Sequence, residues 1–185
     1  MTIPAGYAEP YSDKISQGYL PAYLKIAAEL GPAARVCEIG VCEGRSLRLW
    51  RSLFPAGVIT GVDIDPDAVW PEGTIRVVAG QDDPRLPELA AGPFDLIVED
   101  ASHDGPLTAV TFGLLWPLVA PGGYYAVEDW WMSLCPAWIF DMQTDGGKML
   151  AAVSGLLGLL DSSEAECDEI TYRYGLAIVH KRSAG

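Results

Sequence analysis

The sequence predicts an α/β protein: a single doubly wound sheet of seven strands, mostly parallel and ending in an antiparallel C-terminal hairpin. Short apolar runs alternate with helical patterns along most of the 185 residues, the order that builds a parallel sheet covered on both faces. The first apolar run passes through a Glu-x-Gly-x-x-x-Gly turn (Glu38, Gly40, Gly44) straight into a helical pattern. That is how a strand, a tight turn and a helix N-terminus open a ligand crevice. Two further apolar runs flank Gly175 closely enough to pair as a hairpin.

The elements follow in order. Pro21 to Leu30 reads as a helix stopped by Gly31-Pro32. Strand 1 is expected over Arg35–Glu38, then a helix over Gly44–Phe54 with Leu47, Trp50, Leu53 and Phe54 at helical spacing. Strand 2 covers Val58–Asp63 and strand 3 Ile75–Ala79. Asp83–Ala91 is expected to be helical and Phe94–Glu99 to form strand 4. Pro106–Val119 reads as a helix ended by Pro121-Gly122-Gly123, with strand 5 over Tyr124–Glu128. Trp130 to Gly146 shows no periodicity, and a helix is expected over Lys148–Leu160. Strands over Ile170–Tyr174 and Leu176–Lys181 close the chain. Its length suits one domain, residues 1–185, with residues 1–30 as an N-terminal cap or lid.

Composition narrows the function. Twelve basic against 25 acidic residues give a net charge of −13, and no Lys/Arg cluster offers the footprint of a nucleic-acid binder. No apolar run approaches the roughly 20 residues of a membrane helix, and Met-Thr-Ile-Pro-Ala-Gly lacks the pattern of a secretory signal. Cys37, Cys42, Cys135 and Cys167 form no Cys-x-x-Cys pair. A reduced, cytoplasmic protein is expected.

The glycine turn identifies the ligand class. A dinucleotide fingerprint cradles a pyrophosphate, which a carboxylate at Glu38 would repel. S-adenosylmethionine (SAM) has no phosphate but carries an ammonium and a sulfonium, and a carboxylate suits it. Gly40, Gly44 and Ser46 would form the turn and helix start around it. Asp63 closes strand 2, 25 residues after Glu38, where an acid accepts hydrogen bonds from ribose hydroxyls; Ile64 follows it. Gln81 or Asp82 is placed to meet the adenine amino group. Asp65, before a proline, shapes a turn, and Asp83 caps the next helix.

Strand 4 ends Glu99-Asp100-Ala101-Ser102-His103 and strand 5 ends Glu128-Asp129. Neighbouring strands lie about 4.8 Å apart, so Asp100, Glu128 and Asp129 should converge beside the cofactor. Carboxylates that close need protons or a cation between them, and oxygen ligands suit a hard divalent ion such as Mg2+. His103 is positioned as a general base rather than a ligand. The acceptor would be a small-molecule hydroxyl, with Asp100 and His103 at the chemistry. Trp130, Trp131, Trp138 and Phe140, with Tyr7, Tyr11, Tyr19 and Tyr23, would supply either a stacking surface for substrate or a homo-oligomer contact. Trp50 and Trp116 read as core, and His180 as structural.

Five βα units and a terminal hairpin resemble the Rossmann-like class I SAM-dependent methyltransferases. The runs Glu99-Asp100-Ala101-Ser102-His103 and Gly122-Gly123-Tyr124-Tyr125-Ala126-Val127-Glu128-Asp129 resemble the pattern Asp-Asp-Gly-Ser-His and Gly-Gly-x-Tyr-x-x-Glu-Asp. That pattern belongs to metal-dependent sugar O-methyltransferases of macrolide and aminocoumarin antibiotic pathways. The resemblance implies magnesium binding by Asp100, Glu128 and Asp129, with His103 as base. An N-terminal Asp-Lys-x-x-x-His-x-Tyr of that family is echoed by Asp13, Lys14, Gln17 and Tyr19. The chain departs from the pattern at Glu99, Ala101, Gln17 and Leu107-Thr108. Methyl transfer from sulfur to a hydroxyl oxygen is the leading reading. A polyamine-synthase-like aminopropyl transfer on the same fold and an inactive SAM-binding or oligomerisation module are the alternatives.

Overall fold

A computed structural model describes residues 12–134, 149–160 and 166–184. Seven strands form one sheet in the order β3-β2-β1-β4-β5-β7-β6. They are β1 (Arg35–Ile39), β2 (Val58–Asp63), β3 (Ile75–Val78), β4 (Phe94–Glu99), β5 (Val119–Glu128), β6 (Cys167–Arg173) and β7 (Leu176–Lys181). The first five run parallel, whereas β7 pairs antiparallel with both β5 and β6. The expected mixed sheet is therefore present. Strand order reverses between β1 and β4, which opens the crevice at their carboxyl ends.

The helices are α1 (Asp13–Ser16), α2 (Leu20–Leu30), α3 (Arg45–Leu53), α4 (Leu86–Ala90), α5 (Gly105–Leu115) and α6 (Met149–Gly155). The pleat sends alternate residues to opposite faces, and each face has its own core. Val36, Leu96, Val98, Ala126 and Ile178 pack beneath α2 and α3, around Tyr23, Leu47 and Trp50. Cys37, Ile97, Tyr125, Val127 and Val179 pack on the other side with Leu86, Leu115, Met149 and Val153. Trp50 and Trp116 are core residues as expected, 0% and 6% exposed. His180 stacks on Tyr124 with ring centroids 4.5 Å apart.

Several boundaries differ from the sequence reading. Helix α5 stops at Leu115, and a 3-10 turn over Trp116–Leu118 follows. Pro117 sits in this turn, where no i−4 hydrogen bond is demanded of it. Pro121-Gly122-Gly123 does not end a helix but lies within β5, next to the register shift between Phe94 and Leu96. A proline is tolerated in a strand at such an irregularity. Helix α4 begins at Leu86, not Asp83, because the Asp83 carboxylate turns the chain by accepting from Arg85 N at 2.9 Å. Helix α6 gives way to a 3-10 turn over Leu156–Leu159. Trp130–Leu134 is a 3-10 turn, while Tyr7, Tyr11, Cys135, Trp138 and Phe140 lie outside the described residues. Among the described residues no helix is long and apolar enough to cross a membrane.

Trp50 is fully buried and meets Tyr23 edge-on at 4.8 Å. Trp50→Ala should therefore cost about 3–5 kcal/mol in denaturant unfolding. A loss below about 1 kcal/mol would show that this face of the sheet does not depend on it.

Candidate active site

Local sequence sets the crevice floor. Gly40 has φ +93°, and a Cβ there would lie 2.1 Å from the Asp100 carbonyl oxygen, so only glycine lets the β1 turn cross the end of β4. Gly44 has φ +64° and precedes α3. The turn is fastened by Asp63, whose Oδ2 accepts from Val41 N at 2.7 Å and Cys42 N at 2.9 Å, while Oδ1 accepts from Asp65 N. Burial alone would raise the Asp63 pKa, but these backbone donors lower it. Asp65 in turn accepts from Asp67 N, the turn-shaping role expected of it.

Side-chain parity decides which acids meet. Glu38, Asp100 and Glu128 project to the face that carries α2 and α3, whereas Glu99 points to the opposite face. All three of the first set surround Lys14. The lysine ammonium lies 2.7 Å from Asp100 Oδ2, 3.1 Å from Glu128 Oε2 and 3.2 Å from Glu38 Oε1, with its side chain fully buried. Burial would lower the Lys14 pKa, but Asp100, Glu128 and Glu38 together hold it well above the ordinary lysine value. One ammonium does not balance three carboxylates. Burial accordingly raises Glu38 to about 7 and pushes Asp100 and Glu128 up, with Lys14 opposing each.

Each acid has further partners. Glu38 Oε2 accepts from Ser46 Oγ at 2.6 Å, while Glu38 Oε1 faces the Lys14 ammonium. Glu128 Oε1 accepts from the Tyr23 hydroxyl. Asp129 Oδ1 accepts from Tyr19 Oη at 2.6 Å and Trp131 Nε1 at 2.9 Å. Tyr19 and Tyr23 are therefore buried partners of the acids and not stacking surfaces.

Asp100, His103 and Asp129 bring one potential ligand atom each within 4.8 Å of one another. His103 Nε2 is 3.9 Å from both Asp100 Oδ1 and Asp129 Oδ2. Sequence reasoning grouped Glu128 with the two aspartates and set His103 apart. Here Glu128 stays on the strand and faces Lys14 and Tyr23. His103 and Asp129, each with φ +53°, turn back over the strand ends. Asp104 caps α5, accepting from Leu107 N at 3.1 Å.

Two cavities share Gly40, Cys42, Asp100 and Ala101. One of about 590 Å³ is walled also by Ser46 and His103. The other, of about 350 Å³, is walled also by Asp63, Ile64, Gln81 and Asp82. Gln81 is committed to the framework. Its Nε2 donates to Glu99 at 3.2 Å and Thr111 at 3.0 Å, and its Oε1 accepts from Ser102 N at 3.1 Å. Asp82 is the exposed member of that pair. What sequence reasoning missed is Lys14, visible only through its place beside Asp13 in the N-terminal motif.

An α/β sheet of this strand order, with its crevice at the switch point, is a doubly wound Rossmann-like fold. Within it, residues 37–130 match a family model described as a methyltransferase domain, and the chain belongs to that family. Demethylmacrocin O-methyltransferase of Streptomyces fradiae is 40% identical over 140 residues, covering 69% of this chain and 35% of that protein. Mycinamicin VI 2''-O-methyltransferase of Micromonospora griseorubida is 35% identical over 147 residues, 72% of this chain and 37% of that protein. The chain spans little more than a third of the length of these curated relatives. Among solved structures, the MycE methyltransferase from the mycinamycin pathway in complex with Mg and SAH superposes with a TM-score of 0.72 at 29% identity. That match covers 89% of this chain and 50% of MycE. Its complex with Mg, SAH and mycinamycin VI gives 0.73 at 27% identity, covering 96% and 56%.

Buried Glu99 yields a pH prediction. Burial raises its carboxyl from 4.5 to about 7, against hydrogen bonds from Thr108 and Gln81. A carboxyl with a higher pKa folded than unfolded stabilises at low pH, and that contribution is lost as pH rises through about 7. Between pH 4.5 and 7 the stability of Glu99→Gln relative to the parent should therefore improve, by on the order of 3 kcal/mol. Parallel stability curves for the two proteins would refute the assignment.

Proposed function

We propose that this chain is a SAM-dependent, magnesium-assisted O-methyltransferase acting on a hydroxyl of a small molecule, sugar-like or from a secondary-metabolite pathway. It would work in the cytoplasm as one methyltransferase domain, residues 1–30 forming the N-terminal cap. The observation that carries the reading is the meeting of Asp100, His103 and Asp129, of which Asp100 lines both cavities and His103 the larger. The relatives named above act as O-methyltransferases, which favours methyl over aminopropyl transfer and over an inactive module.

In this reading Asp63, Ile64 and Asp82 of the smaller cavity would hold the adenosyl part, Asp82 serving its amino group and Asp63 its ribose. The larger takes the methionyl part and the acceptor around Gly40, Gly44, Ser46 and Asp100. Glu38 and Asp100 supply negative potential for the cofactor's ammonium and sulfonium. Two carboxylates suit a hard divalent ion, so Asp100 and Asp129 would hold Mg2+, and Glu128 supports Asp100 through the shared Lys14. The ion would orient the acceptor hydroxyl and lower its pKa. His103 Nε2 would take the acceptor hydroxyl's proton, and the bound cofactor would supply the methyl group, giving a methyl ether and S-adenosylhomocysteine (SAH).

His103→Gln should lower kcat by about 10²–10⁴-fold while calorimetric SAH and Mg2+ affinities stay near the parent's. The convergence of all three ligand atoms supports a second reading, in which His103 ligates the ion; a steep loss of Mg2+ affinity in the variant would establish it. Turnover should stop with a chelator and return with Mg2+, and Asp129→Asn should require more Mg2+. Full turnover in buffer shown metal-free by elemental analysis would exclude a metal role.

A further inference from the structure

Asp100 and Asp129 are each gripped on one oxygen and open on the other. Lys14 Nζ holds Asp100 Oδ2 at 2.7 Å, leaving Oδ1 toward His103. Tyr19 Oη holds Asp129 Oδ1 at 2.6 Å, leaving Oδ2 toward the same imidazole. Both holding groups come from the segment around α1 and α2, far from either aspartate in sequence. Both are buried, Lys14 at 0% and Tyr19 at 2% exposure.

Their placement is locally secured. Ser12 Oγ and Asp13 Oδ1 accept from Lys14 N at 3.3 and 2.9 Å, and Tyr19 N donates to Lys14 O at 2.8 Å. The Lys14 ammonium also lies 5.9 Å from the centre of the Trp50 ring. A buried ammonium is expensive unless paired. Pairing it with acids from three different strands makes it a tie across the mouth of the sheet. A carboxylate with one oxygen fixed has lost most of its freedom to rotate, so its other oxygen has a set direction.

We propose that Lys14 and Tyr19 are positioning residues that fix the outer oxygens of Asp100 and Asp129 and thereby present the inner oxygens to a divalent cation. This rests on the metal-assisted reading above. It makes the N-terminal segment part of the metal site without supplying a ligand. Partners of this kind typically contribute 10–100-fold to metal affinity.

The test is calorimetric titration of Mg2+ into the full chain and its Tyr19→Phe and Lys14→Met variants, with SAH binding measured alongside. Tyr19→Phe removes one hydroxyl and keeps the ring, so the fold should hold. It should weaken Mg2+ about 10–100-fold while SAH affinity changes less than about threefold. A purely structural tyrosine would move both affinities or neither. Lys14→Met, if folded by circular dichroism, should weaken Mg2+ at least as much. Mg2+ affinity in Tyr19→Phe within about threefold of the parent would overturn the proposal, as would tighter Mg2+ binding in Lys14→Met, which would make the lysine a competitor of the ion. A parent chain that binds SAH but no Mg2+ would instead overturn the metal reading itself, and this one with it.

Discussion

Three neighbouring parallel strands that end in acids on the same face impose the constraint around which the site is built. The pairing Val98 with Ala126 and Glu38 with Val98 puts Glu38, Asp100 and Glu128 side by side. The pleat leaves them no other face. Buried carboxylates this close are tolerated only with protons or cations among them. Lys14 supplies one positive charge to all three, Ser46 donates to Glu38 and Tyr23 to Glu128, and burial pushes the carboxyls toward holding protons. Lys14 thereby ties the N-terminal segment to the ends of β1, β4 and β5.

Glu99 shows how finely parity sorts function. It adjoins Asp100 in sequence but points to the other face, into a network of Gln81, Thr108 and Thr111. That network holds Ser102 N through Gln81, and so anchors the loop that carries His103. The glutamate standing where the resembling pattern has aspartate thus belongs to the framework. Its longer side chain reaches Thr108 of α5.

Much of the fold was legible because burial on both faces writes strands as uninterrupted apolar runs. The bounds of β2, β4 and β7 follow directly from Val58–Asp63, Phe94–Glu99 and Leu176–Lys181. Illegible parts have specific causes. The start of β5 was masked by Pro121-Gly122-Gly123, because a register shift is a property of two strands and leaves no periodicity in either. Glu38, Asp63, Asp100 and Asp129 were legible as strand-end acids. The roles of Lys14 and Tyr19 were not, since each acts across roughly a hundred residues of chain and local pattern carries no such distance. Gln81 looked available because an amide at a strand end reads as a ligand contact, and only its three committed hydrogen bonds show otherwise.

Backbone conformation completes the account of why the crevice groups converge. Among the described residues, the non-glycine positions with positive φ are Cys42, Ala91, His103 and Asp129, and three of these four line or face the crevice. Such conformations cost on the order of 1–3 kcal/mol each, and the surroundings must enforce them. The Cys42 position is enforced by Asp63, which takes its N–H together with that of Val41. Asp129 is enforced by the grip of Tyr19 and Trp131 on one carboxylate oxygen. Aspartate and histidine also enter this region more readily than most residues, so the side chains suited to the chemistry are also suited to the turn. Were β5 to continue straight, the pleat would send Asp129 to the face opposite Glu128, away from Asp100. The left-handed turn instead brings its Oδ2 within 3.9 Å of His103 Nε2, so an acid that alternation would have separated from Asp100 joins it at the crevice.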